Sequence, residues 1–83
     1  MRLAKYVKFR EEKFGGVLFE TRSEKVFTLN ATGAAVIGEI QAGRDEREIL
    51  SRLKERFHDA DGAIEREAVA FIGDLRNRGL LEE

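Results

Sequence analysis

The sequence predicts an α+β fold in which a three-stranded antiparallel sheet is followed by three helices. Two observations support this prediction. The first third of the chain contains three short alternating or dense apolar stretches, separated by Gly-Gly and by a short polar segment. The remainder contains three stretches with apolar residues at helical spacing. Because 83 residues is the length of one domain, we expect residues 1–83 to form a single domain.

The three predicted strands are residues 5–10, residues 16–20 and Lys25–Leu29. Gly15 and Gly16 are expected to form the first turn, because glycine accepts positive φ angles. Residues 21–23 are short and polar and suit the second turn. Such short connections produce an antiparallel meander in chain order, so the third strand lies at an edge of the sheet.

The first predicted helix follows the third strand without a loop. Asn30 stops the strand, and its side chain is expected to accept a hydrogen bond from the next turn as an N-cap. The helix, Ala31–Gln41, ends before Gly43. It contains Gly33 and Gly38, each of which costs roughly 0.5–1 kcal/mol relative to alanine. We interpret both glycines as sites of close packing rather than ligand contact.

The other two predicted helices each have one apolar face. The second follows Asp45, with Glu48 three residues later in a capping-box pattern. The third begins near Ala63 and ends at Gly79. A one-sided helix needs a neighbour, so we expect the helices to cover one face of the sheet. The apolar faces contain Ile49, Leu50, Leu53 and Phe57 in the second helix and Ile64, Ala68, Phe71, Ile72 and Leu75 in the third.

The composition excludes several classes of function. Fifteen basic and sixteen acidic residues leave a net charge of −1, which disfavours a protein dedicated to nucleic acids or membrane surfaces. The chain has no cysteine, so disulfides, thiolate metal sites and cysteine nucleophiles are excluded. No secretory signal and no apolar run approaching the ~20 residues that span a bilayer is evident. We therefore expect a cytoplasmic protein.

The sequence offers little for catalysis or metal binding. His58 is the only histidine, and with Asp59 and Asp61 it could form a metal site or a general base. Such spacing is common by chance in a polar turn, so we interpret His58 as a surface imidazole at a helix end. The acid pairs at residues 11–12 and 82–83 are interpreted as a turn and a frayed terminus. We predict no catalytic residue, no metal and no cofactor.

The third strand is the less protected edge of the predicted sheet. Lys25–Leu29 has a single cation, whereas the first strand carries Lys5, Lys8 and Arg10, which discourage pairing with another chain. An open edge beside an apolar helix face can accept an extended peptide by strand addition. Val69 widens the apolar face of the third helix. Alone it indicates a broad buried face, but beside an open edge it could form one wall of a groove.

The order of residues along essentially the whole chain resembles the PqqD-like family. Its members are peptide chaperones, or precursor-peptide recognition elements, of ribosomally made and modified peptides. The chain differs from the family in having no proline, including in the turn after the second strand. The residues that carry the resemblance are Leu29, Asn30, Ala34, Ala35, Ile40, Gly43, Ile49, Leu53, Phe57, Phe71, Leu75, Gly79, Leu80 and Leu81.

The resemblance implies a winged-helix-like, non-catalytic domain of natural product biosynthesis. Such a domain binds the leader of a precursor peptide as an added strand between the third strand and the third helix. It then presents the peptide to a modifying enzyme, frequently a radical SAM enzyme. Arg76, together with Arg78 and Lys25, could steer an acidic leader, or these cations could simply be solvated. The peptide contacts that the resemblance implies are the backbone of Lys25, Val26, Phe27, Thr28 and Leu29 and the side chains of Ala68, Val69, Ile72, Leu75 and Arg76.

Two alternatives remain open at the level of sequence. In a DNA-binding winged helix, Arg66, Arg76 and Arg78 would face phosphates and residues 21–23 would form the wing. The net charge and the acidic residues of the third helix argue against it. In a homodimerising module, the open edge would pair with a second copy of the chain.

Overall fold

Three strands and three helices follow one another in the predicted order in the computed structural model, which describes residues 1–58 and 61–83. Strands β2, β3 and β4 form an antiparallel sheet in that order, which confirms the predicted meander and α+β class. None of the helices within the described residues is long and apolar enough to cross a membrane. The elements are β1 Arg2–Leu3, β2 Val7–Glu12, β3 Gly15–Glu20, β4 Lys25–Leu29, α1 Ala31–Gln41, α2 Glu46–Arg56, α3 Ala63–Asn77 and β5 Leu81–Glu82.

The two ends of the chain pair with each other in a second, two-stranded sheet. Strand β1 lies antiparallel to β5, with Arg2 opposite Glu82. The Arg2 Nε lies 3.1 Å from a Glu82 carboxylate oxygen. The backbone N–H of Ala4 extends this contact by donating to the carbonyl of Leu80 at 2.9 Å. The expectation of a frayed acidic terminus is therefore wrong for Glu82, which is part of a strand.

The first hairpin differs from the prediction. Strand β2 includes Glu11 and Glu12, which were expected in a turn, and the connection consists of the next two residues, 13 and 14. Gly15 begins β3 and has a φ of +148°. A Cβ on Gly15 would lie 2.2 Å from the carbonyl oxygen of Leu29. This glycine is needed because β3 passes close to the end of β4, and not because it forms a turn.

The predicted helix caps are confirmed. The Asn30 Oδ1 accepts a hydrogen bond from the N–H three residues on, at 2.8 Å. Asp45 and Glu48 form a reciprocal capping box, with bonds of 2.8 and 3.1 Å. Gly43 and Gly79 follow the ends of α1 and α3 with φ values of +84° and +73°, the left-handed conformation that glycine adopts most easily.

The two glycines within α1 have different environments. Gly33 is buried, and a Cβ there would lie 3.4 Å from the Cβ of Leu29, which confirms close packing. Gly38 is exposed, and an added Cβ would meet no atom of residues 1–58 and 61–83 within 4 Å. The interpretation of Gly38 as a site of close packing is therefore wrong.

The helices cover one face of the three-stranded sheet and leave the other uncovered. Leu18 of β3 is almost fully buried, and it packs in one core with Ile37, Ile49 and Ile72 of the three helices. The opposite, outer face carries Phe19 and Val26, which are 37% and 60% exposed. The core lies between sheet and helices, so the edge of β4 is the place where the two layers meet.

Candidate functional site

Strand β4 has an open edge. It pairs with β3 from Gly16 opposite Leu29 to Glu20 opposite Lys25. No other strand of the described residues lies beside it. The backbone groups on its far side are therefore available to another strand.

The direction of the backbone groups follows from the neighbouring pair of strands. The N–H of Thr21 donates to the carbonyl of Tyr6 at 2.8 Å, so Thr21 bonds on the β2 side. Successive residues of a strand direct their N–H and C=O groups to opposite edges. The backbone groups of Val17 and Phe19 therefore bond to β2, and those of Gly16, Leu18 and Glu20 bond to β4.

The same alternation identifies the free groups of β4. Lys25, Phe27 and Leu29 of β4 lie opposite the three β3 residues that bond to β4. Their N–H and C=O groups are thus directed at β3. Val26 and Thr28 direct theirs to the open edge, and both residues are exposed. Two consecutive alternate positions are what an added strand needs to form a ladder.

A cleft separates this edge from α3. One cavity of about 250 Å³ lies over Phe27 and is lined on the helix side by Phe71, Asp74, Leu75 and Arg78. A second cavity of about 350 Å³ continues toward the start of α1 and is lined by Asn30, Thr32, Gly33 and Glu67. Thr28, Leu29 and Phe71 line both cavities, so the two form one continuous depression along β4. We call it the β4–α3 cleft.

Tyr6 joins the two walls of the β4–α3 cleft. Its hydroxyl donates to the carbonyl of Gly79, just beyond α3, at 2.5 Å. Its ring lies under the guanidinium of Arg22, 3.5 Å from the ring centroid, and Arg22 belongs to the turn between β3 and β4. The hydroxyl of Thr21 also donates to the Tyr6 carbonyl at 3.0 Å. These contacts fix the distance between the β3–β4 hairpin and the end of α3.

The turn before β4 is held by Glu20. Its carboxylate accepts hydrogen bonds from the Ser23 hydroxyl and from the backbone N–H groups of Arg22 and Ser23. These bonds, the Ser23 hydroxyl first, lower the pKa of Glu20 below its usual value, against a smaller opposing effect of burial. The ionised Glu20 therefore stabilises the turn from which β4 begins.

Arg78, the residue that follows α3, places a cation at the cleft. Its guanidinium carbon lies 5.2 Å from the centroid of the Phe27 ring, within the range of a cation–π contact. Its Nε forms an ion pair with Asp74 at 3.0 Å. Arg78 thus connects α3 with β4 at the hairpin end of the cleft.

Two of the predicted side chains do not face this cleft. Arg76 forms ion pairs with Glu46 at 3.0 Å and with Glu83 at 3.3 Å, which places it toward α2 and the C-terminus. At 3.6 residues per turn, Val69 and Arg76 lie roughly 140–160° around the helix from Phe71. The expectation that they form the cleft wall is corrected, because the apolar stripe of α3 is broad and its opposite margin faces β4.

The remaining predicted residues are partly brought together. Leu75 lines the cleft, as do Phe27, Thr28 and Leu29. Ala68 and Ile72 are completely buried and support the cleft from the core. The prediction missed the face of α3 that lines the cleft, which consists of Glu67, Phe71 and Asp74 and continues to the C-cap residue Arg78. Successive members of this face are four, three and four residues apart in the sequence.

The candidate metal set does not come together in the described residues. Asp61 instead accepts a hydrogen bond from the N–H of Ala63 at 3.1 Å, at the start of α3. His58 is exposed beyond the end of α2. Asp59 lies outside the described residues. Within residues 1–58 and 61–83, no group of three acidic, histidine or cysteine side chains is placed to hold a metal ion.

The arginines considered for DNA contact do not form one basic surface. Arg66 donates to the backbone carbonyl of Asp61 at 3.3 Å. Arg76 and Arg78 form ion pairs with acids on different sides of α3. A recognition helix needs cations on one face directed at phosphates, and this helix has acids between its cations.

Comparison with solved structures shows the same fold in two proteins. TbiB1 in complex with the TbiA(beta) leader peptide superimposes with a TM-score of 0.85, covering 99% of this chain and 95% of that chain at 23% identity. Lasso peptide synthetase B1 complexed with the leader peptide gives a TM-score of 0.81, with coverage of 99% and 96% at 22% identity.

Sequence comparison gives a curated relative and a family. The PqqA binding protein of Azotobacter vinelandii (strain DJ / ATCC BAA-1303) is 34% identical over 59 residues, or 71% of this chain. The match spans 63% of that relative's length. The family model described as Coenzyme PQQ synthesis protein D (PqqD) matches residues 15–81. The chain therefore belongs to the PqqD family.

Proposed function

We propose that this chain is a non-catalytic protein that binds the leader of a precursor peptide as a fourth strand of its sheet. The observation that carries the proposal is the open edge of β4, where Val26 and Thr28 direct their backbone groups outward above the β4–α3 cleft. The names of its relatives support the proposal, since one binds PqqA and two are seen with leader peptides.

The geometry suits an extended peptide. A strand added to β4 lies about 4.8 Å from it, and alternate side chains of the peptide point to opposite faces of the sheet. One set enters the β4–α3 cleft, whose apolar floor includes Phe71 and Leu75. Backbone hydrogen bonds with Val26 and Thr28 supply affinity independent of sequence, while the cleft selects side chains. Since the leader must lose its disorder on binding, we expect dissociation constants near the micromolar range, about −8 kcal/mol.

The proposed contacts differ from those implied by the sequence alone. Within Lys25–Leu29 we retain the backbone groups of Val26 and Thr28, because the other three residues bond to β3. We also retain the side chain of Leu75 and add Phe71 and Arg78 from the cleft. Ala68 and Ile72 are proposed to act indirectly, as the packed support of the cleft. Val69 and Arg76 are omitted because they lie toward α2.

The bound leader would be presented to a modifying enzyme, for which a radical SAM enzyme is one candidate. The outer face of the sheet, with Phe19 and Val26 exposed, stays accessible while the edge is occupied. In this proposal the chain itself supplies no reacting group and needs no cofactor. A cytoplasmic site of action fits a sequence without cysteine.

Titration of a candidate leader peptide, followed by amide chemical shifts, tests the proposal. We expect the largest changes at Val26, Thr28, Phe71 and Arg78. A Val69→Thr variant is the matched control, because Val69 is an exposed apolar residue of the same helix (44%) outside the cleft, and its affinity should equal that of the wild type. Changes confined to α2 or to the outer face of the sheet would contradict the proposal.

A second candidate is pairing of β4 with β4 of another copy, which the same open edge permits. Such a dimer would occupy the groups that the leader needs. Sedimentation at increasing protein concentration, with and without leader, distinguishes the two. Leader binding that dissociates a dimer indicates one shared edge, and a monomer at all concentrations removes this candidate.

A further inference from the structure

The two ends of the β4–α3 cleft differ in chemistry. The hairpin end has an apolar floor of Leu18, Phe27 and Leu75. Its two charged side chains, Asp74 and Arg78, already neutralise each other at 3.0 Å. The α1 end shares the apolar side chains of Leu29 and Phe71 and adds the polar residues Asn30 and Thr32. Of the described residues that line it, Glu67 alone is charged.

Glu67 is positioned by the N-cap of α1. The Asn30 Oδ1 accepts from the N–H of Gly33 at 2.8 Å, so the Asn30 amide nitrogen points the other way. That nitrogen donates to Glu67 Oε2 at 2.9 Å. The positive end of the α1 dipole also favours a negative charge here. The cap that starts α1 therefore holds the Glu67 carboxylate at the end of the cleft.

This carboxylate keeps capacity for a ligand. Within the described residues, Glu67 forms one hydrogen bond, through Oε2, and no ion pair. A carboxylate accepts several hydrogen bonds through its two oxygens. Glu67 Oε1 is therefore available to a cation that enters the cleft, which distinguishes Glu67 from Asp74.

We propose that the leader carries a lysine or arginine that forms an ion pair with Glu67 at the α1 end of the β4–α3 cleft. The same face of the leader carries an apolar residue two positions away, which fills the cavity over Phe27. The spacing follows from the period of a strand, in which side chains two residues apart share a face. The inference rests on the proposed function and deepens it by naming the chemistry of the substrate.

The choice of variant distinguishes peptide binding by Glu67 from a purely structural role, in which Glu67 only connects α3 to α1. Glu67→Gln retains an oxygen that can accept from the Asn30 amide and removes only the charge. Glu67→Lys reverses the charge. The thermal unfolding midpoint of Glu67→Gln should equal that of the wild type, so that a change in peptide preference cannot be attributed to loss of the fold.

Phage-displayed random twelve-residue peptides, selected separately on the wild type, Glu67→Gln and Glu67→Lys, provide the test. Wild-type binders should be enriched in lysine or arginine two positions from an apolar residue. That enrichment should disappear with Glu67→Gln and change to aspartate or glutamate with Glu67→Lys. Replacing the basic residue of a selected peptide by alanine should weaken wild-type binding about fivefold, as for an exposed ion pair, and leave binding to Glu67→Gln unchanged.

Two different results would count against two different claims. The same residue preferences on all three proteins would overturn the role of Glu67 while leaving strand addition intact. Selected peptides that bind equally well to a folded Thr28→Pro protein would instead contradict the proposed function, because that substitution blocks the β4 edge.

Discussion

Thr28→Pro should block the open edge of β4 without changing the hydrogen bonds on the edge that pairs with β3. The alternation of backbone groups places the N–H of Thr28 on the open side, so proline removes no hydrogen bond to β3. The side chain is exposed, so no core contact is lost. We expect the variant to fold, with a loss of stability below about 1 kcal/mol.

The loss of leader binding should be much larger. Proline removes one hydrogen bond to the peptide, and its ring occupies the space in which the partner carbonyl would lie, which disrupts an adjacent bond. Two hydrogen bonds of about 1 kcal/mol each give about 2 kcal/mol, which raises the dissociation constant roughly thirtyfold. Fluorescence anisotropy of a labelled leader measures this change, and circular dichroism checks the fold.

The matched control is Thr28→Val, which keeps the N–H, the β-branched shape and the strand preference. Its affinity should remain within about twofold of the wild type. Two results would refute the reasoning. A folded Thr28→Pro protein with unchanged affinity would exclude strand addition at this position, and an unfolded one would contradict the expectation that the edge of β4 accepts proline there.

Four further substitutions test the packing around the site. Gly38→Ala should raise stability by about 0.5–1 kcal/mol, and the thermal midpoint by about 4–8 °C per kcal/mol, because an added Cβ meets no atom in the part of the chain that the structure describes. Gly15→Ala should lower the free energy of unfolding by about 3 kcal/mol, since φ is +148° and the added Cβ collides with the backbone. Equal thermal midpoints for the Gly15→Ala and Gly38→Ala variants would contradict the different environments given to the two glycines. Tyr6→Phe should cost about 1 kcal/mol through the lost hydroxyl bond and weaken leader binding, whereas unaltered binding would show that Tyr6 does not set the cleft. Ser23→Ala should raise the pKa of Glu20 toward its usual value, because the hydroxyl bond is the main cause of its lowering, and NMR titration of the carboxyl group measures this change. In the wild type, the lowered pKa stabilises the fold at pH values above the usual pKa of glutamate, and this contribution is lost as the pH falls through the folded-state pKa.

The local features of the fold could be predicted because their causes are local. Asn30 and the capping box at Asp45 act within four residues, and Gly43 and Gly79 end helices through their own φ angles. The strands of the meander have short connections, so their order follows from the chain. These signals also predict the open edge of β4.

The features that were missed depend on contacts distant in sequence. Strands β1 and β5 have two residues each and no periodicity, and their partners are about eighty positions apart. The requirement for Gly15 comes from the backbone of Leu29, which a turn pattern cannot indicate. The prediction of close packing at Gly38 was wrong because a glycine within a helix does not indicate by itself whether another element packs against that position.

The cleft wall was misplaced because a helical wheel gives relative directions only. The stripe of α3 contains core, β4-facing and α2-facing positions, and its width does not show which margin faces β4. The ion pair between Arg76 and Glu46 and the contact between Arg78 and Phe27 determine the rotation. Both depend on the position of α3 against its neighbours in three dimensions.

Amide hydrogen exchange along β4 tests the central claim most directly. In the free protein, the N–H groups of Phe27 and Leu29 should exchange slowly because they bond to β3, while those of Val26 and Thr28 should exchange rapidly. Addition of the leader should slow exchange at Val26 and Thr28 and leave the other two as they were. Rapid exchange at Val26 and Thr28 with the leader bound at saturation would contradict strand addition to β4.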